Sequence, residues 1–195
     1  MKERLAGIYE TSRFTEYFAG VNQLDREGFR EWFFEAGMRF GAIEKWWGDL
    51  GRRKSPHEGL DLCLYKDGRN EVRRVEPGAG VPAMFSGRVA GIIPDFLGES
   101  IILEHETPDC PAGKFCTFYA HVQRCPGIEP GKKVDQGDVV ARIAGVRRSG
   151  SGIFPHLHVS AAWVVRGMLY EDLTWTTMGR RPDVKLVDPL PLFHV

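Results

Sequence analysis

The chain has 195 residues, 43% of them hydrophobic, which is enough to bury the core of one domain. Its 26 basic and 26 acidic residues give a formal net charge of +0, and the lack of an overall positive field argues against nucleic-acid binding. No apolar run of about 18 residues is present to span a membrane. Residues 1–13 carry charges without the apolar segment of a signal peptide. We expect one domain with an N-terminal extension, in a compartment that the chain does not indicate.

The first predicted element is an amphipathic helix from Asn22 to Gly37. Gly37 stands where a helix C-terminal cap is expected, and apolar residues recur before it at helical spacing: Phe29, Trp32, Phe33 and Ala36. We expect this face to pack on the domain's own core. Residues 1–50 are therefore predicted to be a helical extension on a domain of residues 51–195, with Trp46 and Trp47 in a loop near the functional site.

Beyond Asp61 the chain is predicted to form short strands separated by turns. It contains 23 glycines and 12 prolines, and turn signals such as Lys66-Asp67-Gly68 separate β-branched runs such as Ile101-Ile102-Leu103. This alternation favours a mainly β fold, an antiparallel β-sandwich.

Two pairs of polar residues indicate a metal site. In Pro155-His156-Leu157-His158, alternation along a strand places both imidazoles on one face and Leu157 on the other. His57 and Asp61, four residues apart, also share a face if the chain there is extended. Two nitrogens and one carboxylate oxygen suit zinc, and three protein ligands leave the fourth position open, as in catalytic zinc sites. The spacing does not say which histidine of the strand faces the metal.

A second pair has the same spacing as His57 and Asp61. His105 and Asp109 also lie four residues apart, but the intervening chain runs through Pro108 towards a loop. Because loops position ligands less precisely than strands do, we expect His105 to lie outside the metal site.

The order of several motifs resembles that of a known family. The motifs are His57-Glu58-Gly59-Leu60-Asp61, Val81-Pro82-Ala83 with Ser86-Gly87-Arg88-Val89, Tyr119-Ala120-His121, Gly131-Lys132-Lys133-Val134 with Gln136-Gly137-Asp138-Val139, Pro155-His156-Leu157-His158 and Val187-Asp188-Pro189. In this order they resemble the lysostaphin-type zinc metallopeptidases, whose core is called the duplicated hybrid motif. The resemblance covers the chain from about Ser55 to its end.

The resemblance implies a function and a role for each site residue. It implies a zinc metalloendopeptidase that hydrolyses peptide cross-links of bacterial peptidoglycan, acting in the cell envelope or periplasm. His57, Asp61 and His158 would bind Zn²⁺, while His121 and His156 would carry out proton transfer and stabilise the oxyanion. It implies no particular oligomeric state.

The sequence departs from the family's pattern in two places. The glycine- and threonine-rich turn that usually precedes the H-x-H strand reads Arg147-Arg148-Ser149-Gly150-Ser151-Gly152-Ile153-Phe154. Three cysteines, Cys110, Cys116 and Cys125, lie in the hairpin around His121, and a fourth is Cys63. A Cys110–Cys116 bridge, a Cys116–Cys125 bridge and free thiols all remain open, because spacing does not determine connectivity. Both departures concern loops that would border the cleft and influence substrate preference.

Two other functions are compatible with the same core. A catalytically silent binding or amidase-activator module would typically lack one or more ligands, whereas all three are present here with both further histidines. A phosphocarrier would need paired histidines but no carboxylate ligand, and Asp61 argues against it. The metallopeptidase is therefore the preferred interpretation.

Overall fold

The structure is a computed structural model that describes residues 11–106, 113–145, 152–175 and 177–193. Within these ranges it contains one α-helix, α1 (Phe14–Val21), four short 3₁₀ turns and twelve strands. The strands are β1 (Glu31–Trp32), β2 (Leu60–Leu62), β3 (Leu64–Lys66), β4 (Val72–Arg74), β5 (Gly80–Pro82), β6 (Gly87–Pro94), β7 (Glu99–His105), β8 (Lys114–Arg124), β9 (Lys133–Val134), β10 (Val139–Ile143), β11 (Leu157–Val164) and β12 (Val184–Val187).

The strands form two antiparallel sheets. The larger has nine strands with the path β12-β11-β8-β7-β6-β9, to which β2 is added beside β11, while β10 pairs with both β8 and β5. The smaller sheet has the order β1-β3-β4. The prediction of a mainly β, antiparallel fold with an N-terminal helix is confirmed. None of the described residues forms a helix long and apolar enough to cross a membrane.

Strand β11 is buried along its whole length because both of its faces are covered. Leu157 and Val159 point into the main core, together with Tyr119 of β8. Ala162 and Val164 point to the opposite face, where a second apolar cluster covers them. A strand covered on both faces can hold polar side chains out of solvent, which is the environment of the histidines at its start.

The predicted helix from Asn22 to Gly37 is wrong. Residues 22–28 form turns, Glu31–Trp32 is strand β1, and Ala36–Met38 is a single 3₁₀ turn. Strand β1 pairs with β3, with Trp32 opposite Tyr65. Aromatic residues also suit a half-buried strand, and here pairing with a neighbouring strand overrides the local helical spacing.

Aromatic residues of the N-terminal segment pack on the main core. Phe14 and Phe18 of α1 are fully buried. The Phe14 ring packs edge-on against Phe193 at 5.2 Å, and Phe18 packs on Trp32 at 5.1 Å between ring centroids. All four aromatic residues belong to the main core cluster.

The cysteines that the structure describes are free thiols: Cys63, Cys116 and Cys125. The possible Cys116–Cys125 bridge is therefore absent, and Cys116 instead lies 3.4 Å from the Tyr170 hydroxyl in the second cluster. Burial raises the pKa of the Cys116 thiol to about 12, so it stays protonated at neutral pH. Cys110 lies outside the described residues, as do most of the Arg147–Phe154 turn and Asp109.

Candidate active site

The site is built where β2 pairs with the start of β11. His158 lies directly opposite Asp61 in this antiparallel pair. Gly59 allows the approach, since a Cβ atom there would stand 2.1 Å from the Val159 carbonyl oxygen. Because any side chain at position 59 would collide with β11, only glycine lets the segment from His57 to Asp61 lie this close to that strand.

The side chains of His57, Asp61 and His158 converge on one point. His57 Nε2 lies 3.2 Å from Asp61 Oδ1 and 3.1 Å from His158 Nδ1, and His158 Nδ1 lies 2.8 Å from Asp61 Oδ1. All three side chains are buried, with at most 6% of any of them exposed. Three donor atoms of this chemistry, this close together, suit a zinc ion bound by two nitrogens and one oxygen.

Hydrogen bonds on the far side of each imidazole orient the two ligand histidines. His57 Nδ1 lies 3.0 Å from the Arg39 carbonyl oxygen, to which it can only donate. His158 Nε2 lies 2.9 Å from Ser160 Oγ. With protons on these outward nitrogens, His57 Nε2 and His158 Nδ1 are left with lone pairs directed to the common point.

Two residues that precede His57 in the chain hold the other oxygen of Asp61. Trp46 Nε1 donates to Asp61 Oδ2 at 2.6 Å, and the Arg53 guanidinium lies 3.6 Å from the same atom. Asp61 Oδ1 therefore remains available to bind a metal ion together with His57 Nε2 and His158 Nδ1. Burial by itself would raise the pKa of Asp61, but the surrounding histidines His156, His57 and His158 outweigh it and hold the pKa well below its usual range.

A β-bulge turns His121 towards the same site. Along β8, Tyr119 points into the main core, so strict alternation would also point His121 there. The pairing of β7 with β8 instead shifts by one residue between Glu99 and Ile101, and His121 adopts a left-handed backbone with φ of 63°. The bulge returns Val122 to the core and brings the His121 ring within 5.9 Å of the His158 ring centroid.

Asp95 fixes His121 in this position and was not found from the sequence. Its Oδ2 accepts the His121 backbone N–H at 2.8 Å, and its Oδ1 lies 3.2 Å from His121 Nδ1. Burial alone would raise the pKa of Asp95, but the hydrogen bonds and charge of His121 hold it far below its usual range. The residues Asp95-Phe96-Leu97-Gly98 can be recognised as a turn from the sequence. Nothing in these four residues indicates that Asp95 contacts a histidine 26 residues later in the chain.

His156 lies on the other side of the candidate metal ligands. Its Nδ1 donates to the Phe154 carbonyl oxygen at 2.8 Å, and its Nε2 is 3.6 Å from Asp61 Oδ1. Its ring centroid is 4.7 Å from that of His121, so the two histidines flank one space. Burial lowers the pKa of His156 to about 4, which makes the imidazole neutral and its Nε2 a proton acceptor at neutral pH.

The structure brings all five predicted site residues together and leaves His105 apart. His105 lies at the end of β7, with its ring nitrogens 3.0 Å from the Ser86 carbonyl oxygen and 2.8 Å from Thr117 Oγ1. Glu58 is half-buried at the edge of the site.

The five residues form the floor of a cleft of about 270 Å³. The rest of the lining comes from residues that precede His57 in the chain, Lys45, Trp47, Arg53, Lys54 and Ser55, and from Phe96, Ile153 and Trp175. The cleft leads to the histidines and to the candidate metal ligands.

A buried His-Asp-His cluster with two further histidines, at the floor of a cleft in an antiparallel β fold, is the arrangement of a metallohydrolase. The model of Peptidase family M23 matches residues 56–167, more than half of the chain. The chain therefore belongs to Peptidase family M23, and the resemblance to lysostaphin-type peptidases is confirmed.

Some solved structures are similar to this chain at low sequence identity. The crystal structure of cbpa from L. salivarius REN is 19% identical, with a TM-score of 0.51, 83% of this chain covered and 87% of that chain. The catalytic domain of the antimicrobial peptidase lysostaphin from Staphylococcus simulans is 17% identical, with a TM-score of 0.49 and coverages of 88% and 95%. A search of curated protein sequences finds no match.

Proposed function

We propose that this protein is a zinc-dependent endopeptidase that hydrolyses peptide cross-links of bacterial peptidoglycan. The observation that carries the proposal is the convergence of five residues on one cleft: His57, Asp61, His121, His156 and His158. Membership of a peptidase family supports peptide hydrolysis. The resemblance to lysostaphin-type enzymes supports peptidoglycan as the substrate, and a peptidoglycan substrate would imply action in the cell envelope.

His57 Nε2, Asp61 Oδ1 and His158 Nδ1 would hold the zinc ion, because these are the atoms that the surrounding hydrogen bonds leave free. When bound, zinc supplies Lewis-acid polarisation of the scissile carbonyl and a lowered pKa for water. Trp46 and Arg53 restrain Oδ2, which favours binding through a single carboxylate oxygen.

His121 and His156 supply the proton transfers. Hydrolysis adds the hydroxyl of water to the carbonyl carbon, breaks the C–N bond and moves one proton from the water to the departing amine. The Nε2 atoms of both histidines are free of the hydrogen bonds that hold their Nδ1 atoms, so either one can accept this proton. A protonated imidazole can then donate to the oxyanion or to the amine nitrogen.

The proposal is tested by adding one equivalent of zinc to the metal-free protein and incubating it with purified peptidoglycan. New free amino groups should appear with the zinc-loaded protein and not with the metal-free protein. The His156→Ala variant serves as a control that keeps all three candidate ligands. If the zinc-loaded protein binds peptidoglycan without releasing amino groups, the chain is instead a silent cell-wall-binding or activator module.

A further inference from the structure

Trp175 contacts the candidate site from a segment that follows the region matched by the family model. Its ring packs edge-on against that of the candidate ligand His158, at 4.8 Å between centroids and 84° between ring planes. Leu173 and Met178, on either side of it in the chain, are buried in the second apolar cluster, against which Trp175 also packs. The indole is therefore held in place by groups that lie outside the site.

A chain of hydrogen bonds leads from this indole to His121. Trp175 Nε1 donates to Ser100 Oγ at 2.9 Å, and Ser100 Oγ donates to Asp95 Oδ2 at 2.8 Å. The same carboxylate contacts both the backbone N–H and the Nδ1 atom of His121. Trp175 is thus connected to His121 through two side chains, while its ring lies against His158.

The chemistry of the donors sets the direction of these hydrogen bonds. An indole nitrogen can only donate, so Ser100 Oγ must accept from Trp175 and directs its single hydrogen to Asp95. Ser100 is fully buried, so bulk solvent does not compete for that hydrogen. Without the indole donor, the hydroxyl could rotate away from the carboxylate. The indole therefore keeps the Ser100 hydroxyl directed at Asp95.

The Ser100 hydroxyl completes a set of four donors that hold Asp95 besides His121 Nδ1. Oδ1 accepts the backbone N–H groups of Leu97 and Gly98, at 2.8 and 2.9 Å. Oδ2 accepts the Ser100 hydroxyl and the His121 backbone N–H, both at 2.8 Å. A buried carboxylate held by four donors stays ionised and can only accept from His121 Nδ1. The proton therefore stays on Nδ1, and Nε2 keeps its lone pair.

We infer that Ser100 and Trp175 are positioning residues for His121, because they hold Asp95 so that the imidazole keeps its proton on Nδ1. This inference rests on the proposed function, in which Nε2 of His121 takes part in proton transfer. Ser100 is not part of the cleft lining. Its removal should therefore change the turnover of bound substrate without changing substrate binding or the metal ligands.

The first test measures the tautomer of His121 directly. Nitrogen-15 NMR of the zinc-loaded full chain distinguishes an imidazole protonated on Nδ1 from one protonated on Nε2, and His121→Ala identifies the His121 signals. The parent protein should carry the proton on Nδ1. Ser100→Ala and Trp175→Phe should both increase the fraction protonated on Nε2, and phenylalanine keeps an aromatic ring beside His158. Unchanged His121 signals in either variant would overturn the inference.

The second test separates positioning from substrate binding by steady-state kinetics on a cross-linked peptidoglycan peptide. We expect the kcat of Ser100→Ala to fall about fivefold, the factor that one net hydrogen bond is worth, with KM and zinc content unchanged. Because Trp175 acts through Ser100, the S100A/W175F double variant should have the same kcat as Ser100→Ala alone. Effects of the two substitutions that multiply would show that the residues act separately, contrary to the inference.

Trp32→Phe is the matched control for Trp175→Phe. Trp32 Nε1 also donates to a hydroxyl, that of Thr15 at 3.1 Å, but Trp32 belongs to the main core cluster and not to the cleft lining. This variant should keep the kcat and the His121 signals of the parent. The same losses in Trp32→Phe would attribute the effect to a general loosening of the fold, and the inference would fail.

Failure of the proposed function is distinguishable from failure of the inference, because the tautomer is measured without substrate. If the zinc-loaded parent cuts no peptide, the proposed function fails. The His121 signals of the parent, Ser100→Ala and Trp175→Phe then still support or overturn the role of the two residues.

Discussion

The two histidines that flank the candidate metal ligands are held by different groups. A buried carboxylate, Asp95, restrains His121, whereas a backbone carbonyl, that of Phe154, restrains His156. In both cases the Nδ1 atom is occupied and Nε2 faces the cleft. A change in either restraint is therefore expected to alter the orientation and proton placement of a catalytic imidazole without touching the metal ligands.

Replacing Asp95 with Asn tests this positioning. The asparagine oxygen can still accept the His121 backbone N–H, but its NH₂ group would then face Nδ1 and favour the tautomer with the proton on Nε2. We expect turnover to fall by about 10–100-fold, the usual cost of losing such an orienting partner. Zinc content, measured by atomic absorption, should be unchanged.

Asp188→Asn is the matched control for Asp95→Asn. Asp188 is an exposed turn aspartate whose Oδ1 accepts the Leu190 backbone N–H, with no histidine among its hydrogen-bond partners. Its variant should keep full turnover. Loss of zinc from Asp95→Asn would mean that Asp95 stabilises the whole site rather than one histidine.

The histidines of β11 allow a direct comparison of metal binding with proton transfer. His158→Ala leaves two protein donors, so we expect loss of both zinc and activity. His156→Ala should keep zinc and lower turnover by about 10²–10⁴-fold, since it removes only a proton-transfer group. Zinc per chain, measured for both variants side by side, checks the assignment. Retention of zinc by His158→Ala together with its loss from His156→Ala would reverse the two roles.

The pairing of β2 with β11 is the element contact on which the candidate metal ligands depend. It places Asp61 opposite His158, and Gly59 lets the preceding segment lie against the Val159 carbonyl oxygen. The bulge between β7 and β8 performs a similar task for His121. The close approach at Gly59 and the bulge at His121 thus both help to bring the site residues together.

Gly59→Ala tests the close approach of β2 to β11. Its methyl group would stand 2.1 Å from a backbone oxygen, so the strands must separate. We expect the free energy of unfolding to fall by at least about 1–3 kcal/mol, the typical cost of overpacking, and zinc to bind more weakly. Thermal unfolding and a zinc titration measure the two effects.

Gly20→Ala provides the comparison for Gly59→Ala. Gly20 lies inside α1, and a Cβ atom there would have no neighbour within 4 Å. Alanine favours helix by up to about 1 kcal/mol over glycine, so this variant should be neutral or stabilised. If both variants behave alike, the close approach at Gly59 does not control the site.

For the whole molecule, the N-terminal residues take part in both the core and the site. Phe14, Phe18 and Trp32 lie in the main core cluster, while Trp46 holds Asp61. We therefore propose that residues 1–50 are an integral extension that helps to build the cleft of the domain 51–195. The extension supports the candidate metal ligands from outside the region that the family model matches, residues 56–167.

Deleting residues 1–36 tests whether the extension belongs to the folded unit. Truncating one buried aromatic side chain typically costs about 3–5 kcal/mol, so losing three would remove most of the stability of an ordinary domain, about 5–15 kcal/mol. We expect aggregation and loss of a cooperative unfolding transition. Val21→Ala, at a position of α1 that is 43% exposed, should unfold like the parent protein. A monomeric truncated chain with an unchanged melting temperature would show that the extension is a tether.

The sequence alone indicated the fold class and five site residues. The fold class can be predicted from local patterns of turn and strand residues, and the site residues from their spacing and from the order of the motifs that contain them. Turn residues between β-branched runs indicate antiparallel strands, and the spacing of His156 and His158 follows from alternation along one strand. The roles of the individual histidines came from the family resemblance, since spacing does not distinguish two imidazoles on one face.

Only the tertiary structure determined the features that depend on contacts between distant segments. Residues 22–37 have helical spacing, but pairing of β1 with β3 makes part of them a strand. Alternation would have pointed His121 into the core, and the bulge opposite β7 turns it outward. Asp95 contacts His121, which lies 26 residues later in the chain, and Trp46 contacts Asp61, which lies 15 residues later. Such contacts arise from the packing of whole elements, which local sequence preferences do not specify.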